Sequence, residues 1–553
     1  MEAWGVEATL KKVVGMLAMA LWDRQTRTLT LARDRMGEKP LYYGWAGKVL
    51  LFGSELKALR EHPAFTNPIN RASLKLFMRF AYIPQPWSIF EGIWKLPSGS
   101  YVQFHLNSTP FPQGRKETGN CLPEGRGDVK AYWSLREVAE RGLDAPFLGS
   151  DSQAVEALEA LLKQSIRGQM LADVPLGAFL SGGVDSSTVV ALMQELSLRP
   201  VQTFTIGFHE TEYNEARYAS AVAAHIGTDH TELYVTPREA MDVIPQLSRL
   251  YDEPFADSSQ IPTHLVCQLA RRHVTVALSG DGGDELFVGY NRYFLASRIW
   301  RRIRLLPSPI RRLGASLIQM VPPEAWNRML NVGRRLFPQR LFMQLSGDKL
   351  HKLAGLLDIE VETAIYQYFV SYWPTEEAIM LGIEEPITPV NDMAQWLDCM
   401  DFEHRMMYLD AITYLPDDIL VKVDRAAMAI SLETRVPLLD HRVVEFVWSL
   451  PLSMKIQAGQ GKRLLRHILY KYVPQTLIER PKMGFGVPIS QWLRKPLKNW
   501  AEDLLSEQRL RRESLLNPVP IRRKWQEHLS GRRNWAHLLW NVLMFEEWMD
   551  AAN

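Results

Sequence analysis

The stretch Ser181-Gly182-Gly183-Val184-Asp185-Ser186-Ser187 indicates the fold of this chain, because it joins a short apolar segment to a helical one. Residues 174–180 (VPLGAFL) are short and mostly apolar, which is typical of a buried parallel strand. Residues 187–196 (STVVALMQEL) lack glycine and proline and predict a helix that the serines can cap. A strand, a glycine turn and a helix start together form an anion-binding site.

The loop between these two elements favours a nucleotide over a bare anion. Adjacent Gly182 and Gly183 let the backbone approach phosphate closely, whereas Asp185 would repel it unless it binds an accompanying magnesium ion. The chain has no Gly-Lys-Ser or Gly-Lys-Thr, so this is not a Walker A loop. It resembles the SGGxDS pyrophosphate loop of ATP pyrophosphatases, which implies cleavage of ATP between the α and β phosphates. The alternative is an ordinary Gly-Ser turn before a helix.

Length and composition exclude several classes of protein. A chain of 553 residues is too long for one hydrophobic core, so two or more domains are expected. The net charge of +2 gives no general electrostatic reason for a nucleic-acid partner. No run of about 18 apolar residues predicts a membrane span. The N-terminal MEAWGVEATLKK lacks the apolar centre of a signal peptide.

Three widely spaced cysteines, Cys121, Cys267 and Cys399, form no CxxC pair. This spacing argues against a disulfide framework or a structural zinc site, and a reducing cytoplasm is the expected location.

Residues 1–60 are rich in strand signals, with strands predicted at 16–22, 28–32 and 49–53. Residues 32–43 (ARDRMGEKPLYY) and 53–59 (GSELKAL) resemble the C-terminal half of the class II glutamine amidotransferase domain. That family uses a cysteine at position 2 as its glutaminase nucleophile, whereas this chain has Glu2. The resemblance therefore implies that the first half of the domain is missing and that there is no glutaminase nucleophile. A wrongly chosen start and a true truncation both remain open.

Residues 61–133 are interrupted by several prolines and are predicted to be a connection, with an exposed linker at about 106–130. Tyr132-Trp133 resembles the pair that closes the amidotransferase domain. We therefore assign residues 1–133 to a truncated amidotransferase domain with its linker.

A second domain is predicted from residue 151 to residue 553, because strand and helix patterns alternate after 151. Such alternation indicates a doubly wound parallel sheet, which binds ligands at the carboxyl ends of its strands. The predicted strands are 174–180, 201–208, 231–235 and 274–278. The predicted helices are 154–170, 187–196, 212–226 and 238–251.

The last of these strands runs into Ser279-Gly280-Asp281-Gly282-Gly283-Asp284-Glu285, a second loop of glycines and acids. Alone it would be a turn or a weak cation loop. On the same sheet edge as the first loop, it supplies the second carboxylate that a magnesium ion needs, so Asp185 and Asp284 are the predicted metal pair.

The remainder of the chain reads as helical. Six arginines between 298 and 312 surround Leu305-Leu306-Pro307, and we interpret them as a solvated helix face rather than a membrane or nucleic-acid site. Charges interleaved with apolar residues at 414–441 predict either a polar cleft or a buried ion-pair network around Arg425 and Arg435. Lys462 follows a flexible turn and is predicted to lay its ammonium against phosphate.

Six segments together resemble the glutamine-hydrolysing asparagine synthetases of the bacterial B type, in the family's order and over nearly the entire chain. They are RDRMGEKPLYYG, SGGVDSS, YDEPFADSS, SGDGGDE, VDRAAMAISLETRVPLLDHRV and GKRLLR. The resemblance implies an α/β fold class. It consists of an incomplete N-terminal-nucleophile α/β/β/α sandwich, then a doubly wound parallel-sheet ATP pyrophosphatase domain (adenine nucleotide alpha hydrolase-like) with a helical C-terminal part. It also implies adenylation of the aspartate side chain and release of AMP by ammonia.

The resemblance assigns roles residue by residue. ATP contacts are implied for Leu180, Ser181, Gly182, Gly183, Asp185, Ser186, Ser187, Ile206, Ser279 and Gly280. Asp185 and Asp284 would hold Mg²⁺. The catalytic group would be Lys462, Asp281 and Glu285, with Lys462 offsetting phosphate charge. Asp281 stands where these synthetases often carry glutamate, which leaves the substrate open, and Asp252-Glu253 would help to place the acceptor or ammonia.

Three functional readings follow. The first is an asparagine synthetase that uses ATP, Mg²⁺, aspartate and ammonia or glutamine. The second is a related amide-forming ligase acting on another carboxylate, and the third is a non-catalytic fragment. No nucleic-acid or membrane partner is expected, and a homodimer is compatible with the sequence.

Overall fold

A computed structural model describes residues 1–105, 127–208, 214–336, 346–373, 379–399, 401–480 and 486–552. Cys121 and most of the predicted linker lie outside these residues. The chain divides into two compact units. The first comprises Met1–Leu74, Tyr82–Tyr290 and Ile387–Val487, and the second comprises Lys75–Ala81, Asn291–Pro386 and Pro488–Asn553.

The described strands, in chain order, are β1 (Ala18–Asp23), β2 (Thr28–Arg33), β3 (Tyr42–Ala46), β4 (Val49–Gly53), β5 (Ile93–Lys95), β6 (Ser100–His105), β7 (Val129–Ala131), β8 (Leu176–Phe179), β9 (Gln202–Phe208), β10 (Asp229–Val235), β11 (Val276–Leu278) and β12 (Glu433–Arg435). The helices of the first unit, apart from Arg71–Phe80, are Val6–Lys12, Leu56–Arg60, Leu135–Asp144, Asp151–Gln169, Val184–Leu196, Ala216–Ile226, Pro237–Met241, Ile244–Leu250, Gln260–Arg271, Gly283–Leu286, Met393–Gln395, Phe402–Ile412, Leu415–Ile419, Leu420–Met428, Pro437–Leu439, His441–Ser449, Leu452–Lys455, Arg463–Leu469 and Gln475–Ile478. Those of the second unit are Asn291–Ile303, Ser308–Met320, Pro323–Leu336, Gly347–Leu357, Glu362–Val370, Ile489–Arg494, Lys498–Leu504, Glu507–Glu513, Pro518–Leu529 and Ala536–Ala552.

The N-terminal region contains two antiparallel sheets, ordered β1-β2-β6-β7 and β4-β3-β5. Leu31 and Phe104 from the first sheet pack with Tyr43 and Trp94 from the second, so the two sheets share one hydrophobic core. The prediction of a mere connection over 61–133 is wrong, because this stretch supplies a helix, Arg71–Phe80, and strands β5 to β7. Its prolines fall between these elements rather than inside them, where a missing N–H costs no ladder hydrogen bond.

The five-stranded sheet of the first unit has the order β10-β9-β8-β11-β12, and all of its pairings are parallel. This confirms the predicted parallel sheet. The chain builds outward from β8 in one direction and returns to add β11 and β12 on the other side. The strand order therefore reverses beside β8, and a crevice is expected there, outside the carboxyl ends of β8 and β11.

Two helix boundaries differ from prediction in informative ways. The helix expected at 238–251 is two helices, Pro237–Met241 and Ile244–Leu250. Pro245 is well suited to a first helical turn but not to a helix interior, so it marks the second start. The helix after β8 begins at Val184 rather than at Ser187, which places Asp185 in its first turn.

The described residues of the second unit form helices and connections without strands. The helix Ala536–Ala552 is apolar on most of its surface and buries Trp540, Phe545 and Trp548. Among the described helices, none is both long and apolar enough to span a bilayer.

Candidate active site

The two glycine-acid loops of the sequence meet at the carboxyl ends of neighbouring strands. Residues 180–183 follow β8, residues 279–282 follow β11, and these strands pair directly. A Cβ on Gly280 would lie 2.6 Å from the backbone nitrogen of Ser186, which is a steric clash. The absence of a side chain at Gly280 therefore allows the second loop to pack against the start of the helix that carries Asp185.

Serine side chains close the first loop on itself. The hydroxyls of Ser181 and Ser186 lie 2.9 Å apart, and the Ser186 hydroxyl also accepts from the Ser181 backbone N–H at 3.2 Å. Gly182 has φ +70°, a conformation that favours glycine. The predicted nucleotide residues of the loop thus lie together, except that Ser187 is buried within the helix.

The two residues predicted to contact adenosine beside the loop are buried. Leu180 donates its backbone N–H to the Phe204 carbonyl of β9 at 2.9 Å, and Ile206 lies further along the same strand. Both side chains are almost fully covered.

Lys462 joins the acidic residues of the two loops. Its Nζ lies 2.5 Å from Oδ1 of Asp284 and also contacts Oδ2 of Asp185. Burial alone would lower the pKa of Lys462, but the two carboxylates outweigh burial and raise it, so the ammonium stays protonated. The three groups together carry a net charge of −1.

Backbone geometry holds Lys462 at this point. The residue adopts φ +62° and immediately precedes the helix Arg463–Leu469. Its N–H donates to the Phe287 carbonyl at 2.7 Å, just beyond the second loop. The C-terminal segment is therefore fastened directly to the loop that carries Asp284.

The donor chemistry of Asp185 and Asp284 fits Mg²⁺. Both carboxylates reach one ammonium nitrogen, so their oxygens converge on a common position that already holds a cation. Within the described residues, no set of three or more His, Cys, Asp or Glu side chains is arranged to hold a metal. Mg²⁺ typically binds through one or two carboxylates and completes its shell with phosphate oxygens and water, so two converging carboxylates suit it.

The other two predicted catalytic acids lie beside this pair. The Ser279 hydroxyl donates to Asp281 Oδ2 at 2.5 Å, and burial raises the pKa of Asp281 despite this hydrogen bond. Glu285 is 1% exposed and accepts from the Tyr290 hydroxyl at 2.7 Å. Burial, assisted by Asp284, raises the pKa of Glu285 to about 7, so this carboxyl can exchange a proton near neutral pH.

Three residues near these loops escaped the sequence analysis. Arg480 donates to the Ser181 carbonyl at 3.2 Å and lies over the Tyr218 ring, 3.9 Å from its centre. Lys422 pairs with Asp257 at 2.6 Å. Lys422 belongs to the segment 414–441, which was selected for its interleaved charges, and Asp257 belongs to YDEPFADSS, one of the segments that resemble the family. No local pattern distinguished Arg480 from other arginines.

Asp252 and Glu253, predicted to help place a substrate, each form a buried ion pair. Asp252 pairs with Arg425 at 2.6 Å, and Glu253 pairs with Lys95 of β5 at 2.7 Å. The alternative of an ion-pair network around Arg425 therefore matches the structure. Arg435 binds Glu433 and two backbone carbonyls, those of Gln169 and Leu171.

Comparison with known proteins gives two family matches. A profile described as asparagine synthase matches residues 157–550, and one described as glutamine amidotransferase domain matches residues 1–113. A putative glutamine-hydrolysing asparagine synthetase of Mycobacterium tuberculosis (strain ATCC 25618 / H37Rv) is 32% identical, over 99% of this chain and 78% of its own. Asparagine synthetase 1 of Bacillus subtilis (strain 168) is 28% identical, over 98% and 78% respectively. Putative asparagine synthetase 2 of Methanocaldococcus jannaschii is 37% identical over 56% of each chain.

Proposed function

This chain belongs to the asparagine synthase family and is an ATP-dependent ligase of that family, and we propose that Asp185, Asp284 and Lys462 form its reaction centre. The reaction converts ATP, aspartate and ammonia to asparagine, AMP and pyrophosphate. The aspartate side-chain carboxylate attacks the α-phosphorus and pyrophosphate leaves. Ammonia then attacks the acyl carbon and displaces AMP.

The loop residues act on the phosphates in this scheme. Residues 181–186 present backbone N–H groups and the start of the helix Val184–Leu196 to the pyrophosphate portion of ATP. Asp185 and Asp284 hold Mg²⁺, which when bound supplies charge neutralisation at the phosphates. Lys462 offsets the negative charge that grows as pyrophosphate departs. Backbone groups of Leu180, Ile206, Ser279 and Gly280 contact the adenosine.

Glu285 and Asp281 act on the second half of the reaction. The nitrogen that attacks the acyl carbon must lose a proton, and a carboxyl with a pKa of about 7 is suited to accept it at Glu285. Asp281, between the metal pair and Lys422, helps to orient the acceptor. Ammonia enters either from ammonium in solution or from hydrolysed glutamine.

The same proposal covers the domains. Residues 1–133 form the amidotransferase-type α/β/β/α sandwich, as far as the chain contains it, and residues 151–553 form the ATP pyrophosphatase-type synthetase domain. The two antiparallel sheets around one core and the parallel sheet with its switch beside β8 support this division.

The observation that carries the proposal is the position of the Lys462 ammonium against two carboxylates at the edge of a glycine loop. Pyrophosphate release from Mg-ATP and ammonium, with and without aspartate, tests it. The wild type should require aspartate, and Asp185→Ala should lower the rate by roughly 10²–10³-fold. Asp173→Ala, which removes an exposed carboxylate just before β8, is the matched control and should retain the activity.

Two results would count against the proposal. Equal activity of folded Asp185→Ala and wild type would remove Asp185 from the reaction centre. Release that does not respond to aspartate, but does respond to another carboxylate, would retain the reaction and change the acceptor.

A further inference from the structure

Residues 286–323 contain seven arginines and no lysine, histidine, aspartate or glutamate, so this stretch has a net charge of +7. Most of it forms two helices of the second unit, Asn291–Ile303 and Ser308–Met320, joined by residues 304–307. From the sequence, the six arginines between 298 and 312 are interpreted as a solvated helix face. The structure adds that large apolar side chains are exposed beside them.

The helix Ser308–Met320 has a buried face and, separately, an exposed face that is apolar. Arg311 and Ala315 are buried. An apolar stripe, defined as Leu305, Leu306, Ile310, Leu313, Leu317 and Met320, is between 48% and 78% exposed. The spacing from Ile310 to Met320 is three, four and three residues, which aligns these side chains along one side of the helix. Single exposed leucines are ordinary, but a continuous stripe of this kind marks an interaction surface.

The arginines beside the stripe differ in their partners. Arg312 binds Glu360 and lies near Asp358, and Arg311 donates to backbone carbonyls. Four exposed arginines, defined here as the basic group, form no salt bridge within the described part of the chain: Arg298, Arg301, Arg302 and Arg304. Arg304 directly precedes the exposed Leu305 and Leu306, so positive charge without a described salt bridge and exposed hydrocarbon adjoin where the two helices are joined.

We propose that the apolar stripe and the basic group bind the surface of an anionic lipid bilayer, with the helix Ser308–Met320 lying in the interface. Anionic headgroups complement the basic group, while the stripe enters the boundary between headgroups and acyl chains. A second copy of this chain is a poorer occupant, because a symmetric contact would oppose two arginine-rich surfaces. The proposal adds a location for the enzyme and does not depend on its chemistry.

Sedimentation of the full chain with vesicles tests this surface. Vesicles containing phosphatidylglycerol should bind the protein, whereas pure phosphatidylcholine vesicles should bind it at least about tenfold less, and salt should weaken the binding. Leu313→Gln with Leu317→Gln, and separately Arg298→Gln with Arg302→Gln, should each reduce partitioning by about tenfold or more. Leu148→Gln with Leu198→Gln, which changes exposed leucines of the first unit, should leave it unchanged.

Pyrophosphate release by each variant verifies that it is folded. Absence of binding to anionic vesicles overturns the proposal, as does binding that neither stripe nor arginine variants diminish. Dimerisation that the leucine variant abolishes, without vesicle binding, assigns the surface to a second copy. Binding of an acidic protein without vesicle binding assigns it to that partner, and both results overturn the lipid assignment.

Discussion

Two charged regions of the first unit are built from the same kinds of side chain but have different charge balances. At the edge of the parallel sheet, Asp185 and Asp284 both contact the ammonium of Lys462. Beside β5, each carboxylate has a cation of its own, Asp252 with Arg425 and Glu253 with Lys95. The second region also supplies backbone donors, since Ile89 N–H donates to Glu253 at 2.8 Å.

This difference separates a binding site from a structural contact. Where a buried carboxylate has a cation of its own, the pair holds two segments of the chain together. Where two carboxylates share one ammonium, the residual negative charge favours an added cation. Gly280 contributes to the same site through its lack of a side chain, which lets the second loop pack closely against the backbone of Ser186.

The largest effect is expected from removing the shared cation. Lys462→Met should lower the rate of pyrophosphate release by roughly 10³–10⁵-fold, as loss of a charge-stabilising side chain does in other phosphoryl transfers. Lys471→Met is the matched control, because Lys471 pairs with Glu159 at 2.6 Å nearby but is 44% exposed. That control should stay within about twofold of wild type. Similar losses in both variants would mean that the contact of Lys462 with Asp185 and Asp284 is not what the reaction requires.

Breaking an ion pair beside β5 is expected to lower the stability of the protein strongly and to leave ATP binding unchanged. Lys95→Met leaves Glu253 buried without its cation and should lower the free energy of unfolding in urea by about 3–5 kcal/mol. The KM for ATP should not change. Lys130→Met, at an exposed pair with Asp128, should change stability by less than about 0.5 kcal/mol. Adding Glu253→Gln to Lys95→Met should restore part of the loss, and an additive loss would contradict the explanation.

Glu285 sharpens the comparison because its hydrogen-bond partner is a hydroxyl rather than a cation. Its pKa is raised from 4.5 to about 7 by burial and by Asp284, so ionisation of the folded protein is disfavoured. The stabilising contribution of the protonated form is complete below about pH 4.5 and is lost as pH rises through about 7. Relative to wild type, Glu285→Gln should therefore gain up to about 3 kcal/mol in free energy of unfolding between pH 4.5 and pH 8.5.

Urea unfolding at both pH values measures this difference. The exposed Glu156 provides the control, since Glu156→Gln should show no comparable gain. A constant difference between wild type and Glu285→Gln across the pH range would show that the carboxyl does not titrate there.

The parallel sheet and its loops were predictable because their signals are local. An apolar run, adjacent glycines and an uninterrupted helix pattern lie within about 20 residues around Asp185. The flexible turn before Lys462 predicted a phosphate contact, and the family resemblance assigned the residue to the same site as the two loops. The connection predicted over 61–133 was wrong because prolines between elements are compatible with strands and helices on either side of them.

The ion pairs of Asp252 and Glu253 were not predictable for a different reason. Their cations come from Arg425 and Lys95, each more than 150 positions away, and a charged residue in a sequence does not indicate which distant partner it will meet. The backbone conformation of Lys462 could not be predicted either, because nothing in the sequence of a lysine indicates a φ of +62°.

The hydrogen bond from Lys462 to the Phe287 carbonyl has a consequence for biosynthesis. It closes a loop of more than 170 residues, and the proposed reaction centre combines groups from positions 185, 284 and 462. A ribosome translates from the N-terminus, so strands β8 to β11 can pair while the segment carrying Lys462 is still unmade. Until then Asp185 and Asp284 face each other without their shared cation. A nascent chain of this protein can therefore acquire most of its fold well before it acquires its reaction centre.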